Sequence, residues 1–263
     1  MTSSSGERIL VTGATGVLGR AVVSELIQRG VTVRGTGRSE TPKAFSAEWC
    51  QCDLLQSASV KNAFRDVTTA IHCASTPFAL KDERQALSNL LHAAKETSVH
   101  LVYVSIAGIE AASRVFEYYR VKLESEAAIQ ASGIPYTIVR ISQFHPFIDM
   151  ILRRISLGPF VFRPPLNLQP IDVPFAAREL ASHAMQRTSG RTKDLHGPEA
   201  LDERAVLEAW RRAQEQKKFV IPIPGIGPLK AFGLIETVGG DTGGRTWSEW
   251  LSSEDASNNP YLS

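Results

Sequence analysis

The segment Thr12-Gly13-Ala14-Thr15-Gly16-Val17-Leu18-Gly19 constrains this chain more than any other. It follows a short apolar run, Arg8-Ile9-Leu10-Val11, and precedes Leu18, Ala21, Val22 and Leu26, which recur at helical spacing until Gly30. Val31 to Arg34 then reads as a second strand. Strand, glycine turn, helix and strand within about 30 residues make one βαβ unit with parallel strands and a right-handed crossover. Glycines at these positions permit a tight turn, close approach of backbone to an anion, and close packing of helix on strand. The N–H groups opening the helix then face that anion. An ordinary glycine-rich turn is the plainer alternative, but the flanking strands and helix favour a dinucleotide phosphate site built from Gly13, Thr15, Gly16, Val17, Leu18 and Gly19.

The alternation continues. Strands are expected at Trp49 to Asp53, Thr69 to His72, His100 to Ser105 and Pro135 to Arg140, with helical segments between them. This rhythm predicts an α/β fold, a Rossmann-type doubly wound parallel sheet. Beyond Ile141 it breaks: Phe147 to Leu157 reads as a helix, Gly158-Pro159 and Arg163-Pro164-Pro165 interrupt, and an apolar run follows at Leu168 to Val173. Further helices are expected near Phe175 to Gln186, Leu201 to Gln214 and Thr246 to Leu251, and Ile221 to Gly225 reads as a connection. The expectation is a single domain over the 263 residues, its core about 7–145, with a small C-terminal substrate-binding cap drawn from about 146–166 and 190–252. The Ser-rich start, Met1 to Glu7, and the polar tail, Ser252 to Ser263, read as loose ends.

Composition narrows the function classes. A formal charge of +2, with basic residues alternating with acids, gives no electrostatic footprint for nucleic acid. The three cysteines, Cys50, Cys52 and Cys73, make neither a disulfide set nor a metal site, and no two of the six histidines have zinc-like spacing. No secretory leader and no membrane-length apolar run is visible, so a cytoplasmic protein, monomer or homodimer, acting on a small molecule without metal is expected.

The residues after the second strand, Gly37-Arg38-Ser39, bear on the choice of dinucleotide. An acid there holds the ribose 2′-hydroxyl of NAD, whereas an arginine accommodates the 2′-phosphate of NADP. Arg38, with Ser39 beside it, therefore favours NADP(H), surface solvation being the other reading of the arginine. Asp53 reads either as a partner for the adenine amino group or as a helix cap. Leu54 beside it, the backbone of Cys73, Ala74 and Ser75 past the fourth strand, and Lys122 complete the expected cofactor contacts.

Ser105 closes the fifth strand at the carboxyl edge where open parallel sheets bind ligands. Tyr118 and Lys122 follow, four apart and so on one helix face. An ammonium near a phenol favours the phenolate, which suits the tyrosine to exchange a proton with a substrate oxygen while Ser105 holds that oxygen. A packing tyrosine and a solvated lysine are the plainer alternative. There is no Gly-x-Ser-x-Gly elbow for a hydrolase, and Arg20 stands where a nucleotide triphosphatase needs lysine.

Taken together, Thr12 to Gly19, Ser105-Ile106-Ala107-Gly108 and Tyr118-Tyr119-Arg120-Val121-Lys122 resemble the short-chain dehydrogenase/reductase superfamily. Ser132 to Arg140 and Gln143-Phe144-His145 look like its atypical NmrA-like branch, and the likeness extends over nearly the whole chain. The resemblance implies an NADPH-dependent oxidoreductase with Ser105, Tyr118 and Lys122 as catalytic residues. The same resemblance leaves a non-catalytic cofactor-sensing regulator and a sugar-nucleotide epimerase as alternatives. The family's tetrad asparagine has no counterpart, Asn89 lying too near the serine strand. Gln143, Phe144 and His145, just past the sixth strand, are the candidate substrate contacts, and Phe147, Phe160 and Phe162 are candidates to wall the same pocket.

Overall fold

The computed structural model describes every residue except 1–6, 44, 216–217, 227, 236–238 and 263. All of the expected loose start but Glu7 therefore lies outside the described residues. In chain order the first elements are β1 (Arg8–Thr12), α1 (Val17–Gln28), β2 (Thr32–Gly37), β3 (Glu48–Gln51), α2 (Ser57–Ala63), β4 (Thr69–His72), α3 (Leu80–Thr97), β5 (His100–Ile106), α4 (Glu117–Ala131) and β6 (Tyr136–Ile141). There follow α5 (His145–Arg154), β7 (Ser156–Leu157), β8 (Phe160–Arg163), β9 (Asn167–Leu168), α6 (Val173–Gln186), β10 (Gly190–Arg191) and β11 (Leu195–His196). The last are β12 (Leu201–Asp202), α7 (Glu203–Ala213), β13 (Phe219–Pro222), α8 (Pro228–Phe232), β14 (Asp241–Thr242), α9 (Trp247–Leu251) and α10 (Glu254–Ser257).

Two compact units share the chain. The first takes the chain up to Ser105, Val121–Val139 and Ala176–Thr192; the second takes Ile106–Arg120, Arg140–Phe175 and the chain from Lys193 onward.

In the first unit the strand order is β3-β2-β1-β4-β5-β6, with β10 beside β6. β1 pairs in parallel with β2 and β4, β2 with β3, β4 with β5, and β10 with β6. This is the expected doubly wound Rossmann-type order, in which the chain leaves β1 to one side and returns to its other side at β4. Ligands bind such sheets beyond the carboxyl ends at that reversal, where Thr12 of β1 pairs with His72 of β4. Apolar side chains of Leu10, Phe64, Leu90, Leu101, Ile129 and Ile138 form the core. The buried stripe of α1, Leu18, Val22 and Leu26, packs because its residues recur every fourth position. Gly30, at φ 77°, ends the helix: its N–H and that of Val31 donate to Ile27 and Leu26, a closure that requires left-handed backbone. β2 runs to Gly37 rather than stopping at Arg34, because its later residues find partners on both sides, Thr36 opposite Thr12 and Gly37 opposite Gln51.

In the second unit Leu195 of β11 pairs with Ile141, and β14 lies parallel to β11. Asp202 caps α7 by accepting from the Arg204 and Ala205 N–H groups, and Thr246 with Glu249 forms a capping box on α9. Two expectations are corrected here. The Ile221-Pro222 stretch is not merely a connection: β13 pairs in parallel with β8 at the edge of a small sheet ordered β13-β8-β7, a place where proline's missing N–H is tolerated. Nor is the polar tail loose over its described length. It forms α10 and buries Asn259, whose amide donates to the Pro146 carbonyl at 2.9 Å and the Asp149 carboxylate at 2.7 Å. That carboxylate also accepts from the Trp210 indole at 2.7 Å and pairs with Arg153. No helix among the described residues is long and apolar enough to cross a membrane.

Candidate functional site

The glycine turn is a cradle without room for side chains. Gly13 sits at φ +64°, and a Cβ there would lie 2.7 Å from the Ala74 backbone; a Cβ on Gly19 would lie 2.1 Å from the Gly13 carbonyl oxygen. Gly16 donates to that same oxygen at 2.9 Å, and Ala14 donates to Thr36 at 3.2 Å. Thr15 and Gly16 are exposed at the tip. The first turn of α1 has neither a side-chain cap nor an acidic residue, so its N–H groups face outward with the positive end of a 12-residue helix behind them. The residues present fit a dinucleotide pyrophosphate.

The other expected cofactor residues of the first unit lie as follows. Arg38 and Ser39 are exposed immediately past β2, and their carbonyls accept from Gln51 and from the Trp49 indole. Asp53 uses a carboxylate oxygen to accept the Leu55 N–H at 3.0 Å, a turn-forming role of the capping kind. The Leu54 carbonyl accepts from buried Asn89. Ala74 fills the space opposite Gly13, while Ser75 is exposed.

Beneath the turn, His72, whose side chain at the end of the fourth strand reads from the sequence as packing, belongs to a buried polar group. The Thr12 hydroxyl and His72 Nδ1 meet at 2.7 Å, and the His72 ring stacks on Tyr103 with centroids 5.7 Å apart. Burial, then the Lys122 charge, pushes the His72 pKa down to about 4, against the opposing pull of Glu83. Burial likewise favours the neutral Cys73 thiol, pushing its pKa up to about 12 against the pull of the Lys122 charge.

Lys122 and Ser105 both belong to the first unit. The Lys122 ammonium donates to the Val104 carbonyl at 2.9 Å, stands 4.2 Å over the Tyr103 ring and lies 3.7 Å from a Glu83 carboxylate oxygen. Its tether is thus the residue preceding Ser105. The Ser105 side chain is buried, and its hydroxyl makes no hydrogen bond among the described residues. Such an orphan group costs about 1–3 kcal/mol and is complementary to a ligand oxygen. Tyr118, in the second unit, occupies the first turn of α4, one turn before Lys122 on that helix, with its ring 6.0 Å from Phe116 and 6.1 Å from Tyr119.

Among the expected substrate contacts, all in the second unit, Gln143 is buried with neither amide atom hydrogen-bonded among the described residues. Phe144 is half-buried and its backbone bridges to Ile171. His145 is fully buried, with 0% exposure and with Trp247 and Trp250, stacked on each other at 5.5 Å, each 5.7 Å from its ring. Burial pushes its pKa down to about 4 despite the opposing Asp172 carboxylate. Phe162 is half-buried, whereas Phe160 is exposed against Phe219.

Glu83 was missed, although the sequence carries a signal for it. The acid falls on the same helical stripe as Ala86, Leu87, Leu90, Ala93 and Ala94, all buried, and a carboxylate on such a stripe needs a partner.

Residues 13–146 match a family described as NAD(P)H-binding. The (4-alkanoyl-5-oxo-2,5-dihydrofuran-3-yl)methyl phosphate reductase of Streptomyces griseus is 29% identical, covering 74% of this chain and 70% of that protein. The photosystem II assembly factor Ycf39 of Cyanophora paradoxa is 30% identical over 82% of this chain and 71% of its own. Among solved structures, a nucleoside-diphosphate-sugar epimerase from Staphylococcus aureus superposes with a TM-score of 0.80 at 19% identity, covering 94% of this chain and all of that one. A triphenylmethane reductase from Citrobacter sp. does so with a TM-score of 0.69 at 21% identity, over 82% and 78% of the two chains. At these identities the two structures attest the fold alone.

Proposed function

Since this chain belongs to the NAD(P)H-binding family, whose structural neighbours are epimerases and reductases of the short-chain dehydrogenase/reductase superfamily, we propose that it is an NADPH-dependent oxidoreductase acting on a carbonyl or conjugated small-molecule acceptor. The observation that carries the reading is the uncapped first turn of α1 behind the Gly13, Gly16 and Gly19 cradle. Gly13, Thr15, Gly16, Val17, Leu18 and Gly19 hold the pyrophosphate, Arg38 and Ser39 the 2′-phosphate, and the backbone of Cys73 to Ser75 flanks the cofactor. Bound NADPH supplies the hydride.

Within this proposal, Tyr118 donates the proton that neutralises the developing alkoxide, since a phenol is the acid on α4 with a lysine one turn away. Lys122 holds a positive charge that favours the phenolate left behind. Ser105 donates its hydroxyl to the substrate oxygen, a use supported by its burial without a hydrogen bond among the described residues. Gln143, buried with neither amide atom hydrogen-bonded among the described residues, reads the substrate's polar groups.

A second reading is favoured by the photosystem II relative, whose name describes assembly rather than reduction. In that reading the chain binds NADP(H) without turning it over. Tyr118→Phe separates the two. Under the proposal, turnover with a panel of ketones and quinones falls by about a hundredfold or more while NADPH affinity stays constant. Unchanged turnover removes Tyr118 as the acid, and a wild-type protein that binds NADPH but reduces nothing supports the sensor.

A further inference from the structure

The Glu83 carboxylate is built into the first unit with unusual care. One oxygen accepts from the Thr76 N–H at 2.7 Å and from the Thr76 hydroxyl at 3.0 Å. The other is buried, makes no hydrogen bond among the described residues, and faces the Lys122 ammonium at 3.7 Å. Both side chains are about 95% withdrawn from water, with 5% and 4% exposure. Two charges so placed are costly to bury, and each depends on the other for compensation. If stability alone were at stake, an apolar pair would serve as well.

The position of the pair suggests what it does. Thr76 lies in the segment after β4 whose Ala74 packs against Gly13 of the phosphate turn. Lys122 at the other end is bonded to Val104, next to Ser105. Glu83 touches both Thr76 and Lys122. The Tyr103 ring lies 4.2 Å under the ammonium. A carboxylate held by its own two bonds is a fixed reference point, and a flexible four-carbon lysine stem needs one.

We infer that Glu83 is a positioning residue for Lys122: anchored on Thr76 beside the phosphate turn, it sets the ammonium at the carboxyl end of β5, where the lysine engages the nicotinamide half of the cofactor. This rests on the cofactor reading above. Glu83 touches neither substrate nor reacting atoms and acts through the lysine. The glutamine variant keeps an oxygen for Thr76 and turns an uncharged amide NH2 toward Lys122 in place of the carboxylate oxygen, which separates this role from the anchoring one.

The test is a double-mutant cycle read by ligand affinity, using NADPH and the half-cofactor 2′,5′-ADP, which lacks the nicotinamide and its ribose. Glu83→Gln is expected to weaken NADPH by about tenfold and leave 2′,5′-ADP unchanged. In a Lys122→Met background, Glu83→Gln is expected to add no further loss, because the residue it acts through is gone. Equal losses for both ligands indicate general damage to the fold and overturn the inference. So do a full additional loss in the Lys122→Met background and an unchanged NADPH affinity in Glu83→Gln. A wild-type protein that binds neither ligand overturns the cofactor reading itself, and this inference with it.

Discussion

The Thr12 hydroxyl closes on the His72 ring at 2.7 Å, joining the ends of the two strands between which the sheet reverses. The same hydroxyl lies 3.5 Å from the Ala74 N–H, so the residue that opens the glycine turn also steadies the loop facing it. A threonine can serve both because its oxygen both donates and accepts.

Acid should weaken the fold through two imidazoles. His72 and His145 both have pKa values pushed by burial from 6.5 to about 4. The unfolded chain takes up protons at these sites below about pH 6.5 that the folded chain refuses until about pH 4, so stability is full above 6.5 and falls as pH drops through that window. Each shift corresponds to on the order of 3 kcal/mol at the acid end. Urea midpoints measured from pH 7 to 4 should show a shallower decline in His145→Gln and His72→Gln than in wild type; superimposable declines would refute the assignment.

Replacing Gly13 with alanine should cost more than the missing space suggests. At φ +64° an L side chain is strained, and its Cβ would strike the Ala74 backbone, so about 1–3 kcal/mol of stability and at least about tenfold in NADPH affinity should go together. Gly30→Ala, also at positive φ but with open space around it, should lose stability without the affinity. Fluorescence titration of both variants would distinguish them, and equal affinity losses would remove the cradle argument.

Asp149 should be the most sensitive polar position of the second unit. Asp149→Ala leaves the Trp210 indole N–H buried with no acceptor, takes one of the two acceptors from the Asn259 amide and frees Arg153, a loss of roughly 3–5 kcal/mol. Asn259→Ala, which removes two donated bonds and the acceptor of the Tyr261 N–H but leaves Asp149 its other partners, should cost less, about 1–3 kcal/mol. Chemical denaturation reads both, and a near-neutral Asp149→Ala would mean that the three donors find other acceptors.

Cofactor choice tests Arg38. If its guanidinium meets the 2′-phosphate, Arg38→Ala weakens NADPH by tenfold or more, on the order of a lost charge-assisted bond, and leaves NADH almost untouched. Parallel losses for the two cofactors would sink the assignment.

The first unit was largely legible because its information is local. The run from Arg8 to Gly30 states strand, turn, helix and stop in consecutive residues, and β4 was bounded correctly from Thr69 to His72. What escaped depends on residues far apart in sequence. Glu83 announces itself as an acid on an apolar stripe, but Lys122, 39 positions later, is its partner only once α3 and α4 pack on the sheet. His145 follows β6 as expected, yet its burial is decided by two tryptophans about a hundred residues downstream. The tail looked solvated because it is polar, whereas one amide facing two acceptors suffices to bury Asn259. Proline argued against β13, and a sheet edge is where that argument fails.

The division of the chain between two units has a consequence for how the protein is made. The chain leaves the first unit after Ser105, returns at Val121, leaves again after Val139 and returns at Ala176, so neither unit is one continuous stretch of chain. A ribosome that has finished β6 at Ile141 must go on to Arg191 before β10 can join it. At about 5–20 residues per second that is an interval of roughly three to ten seconds. Throughout it, the edge of β6 that β10 will cover is an unpaired strand exposed to whatever else in the cell pairs with strands.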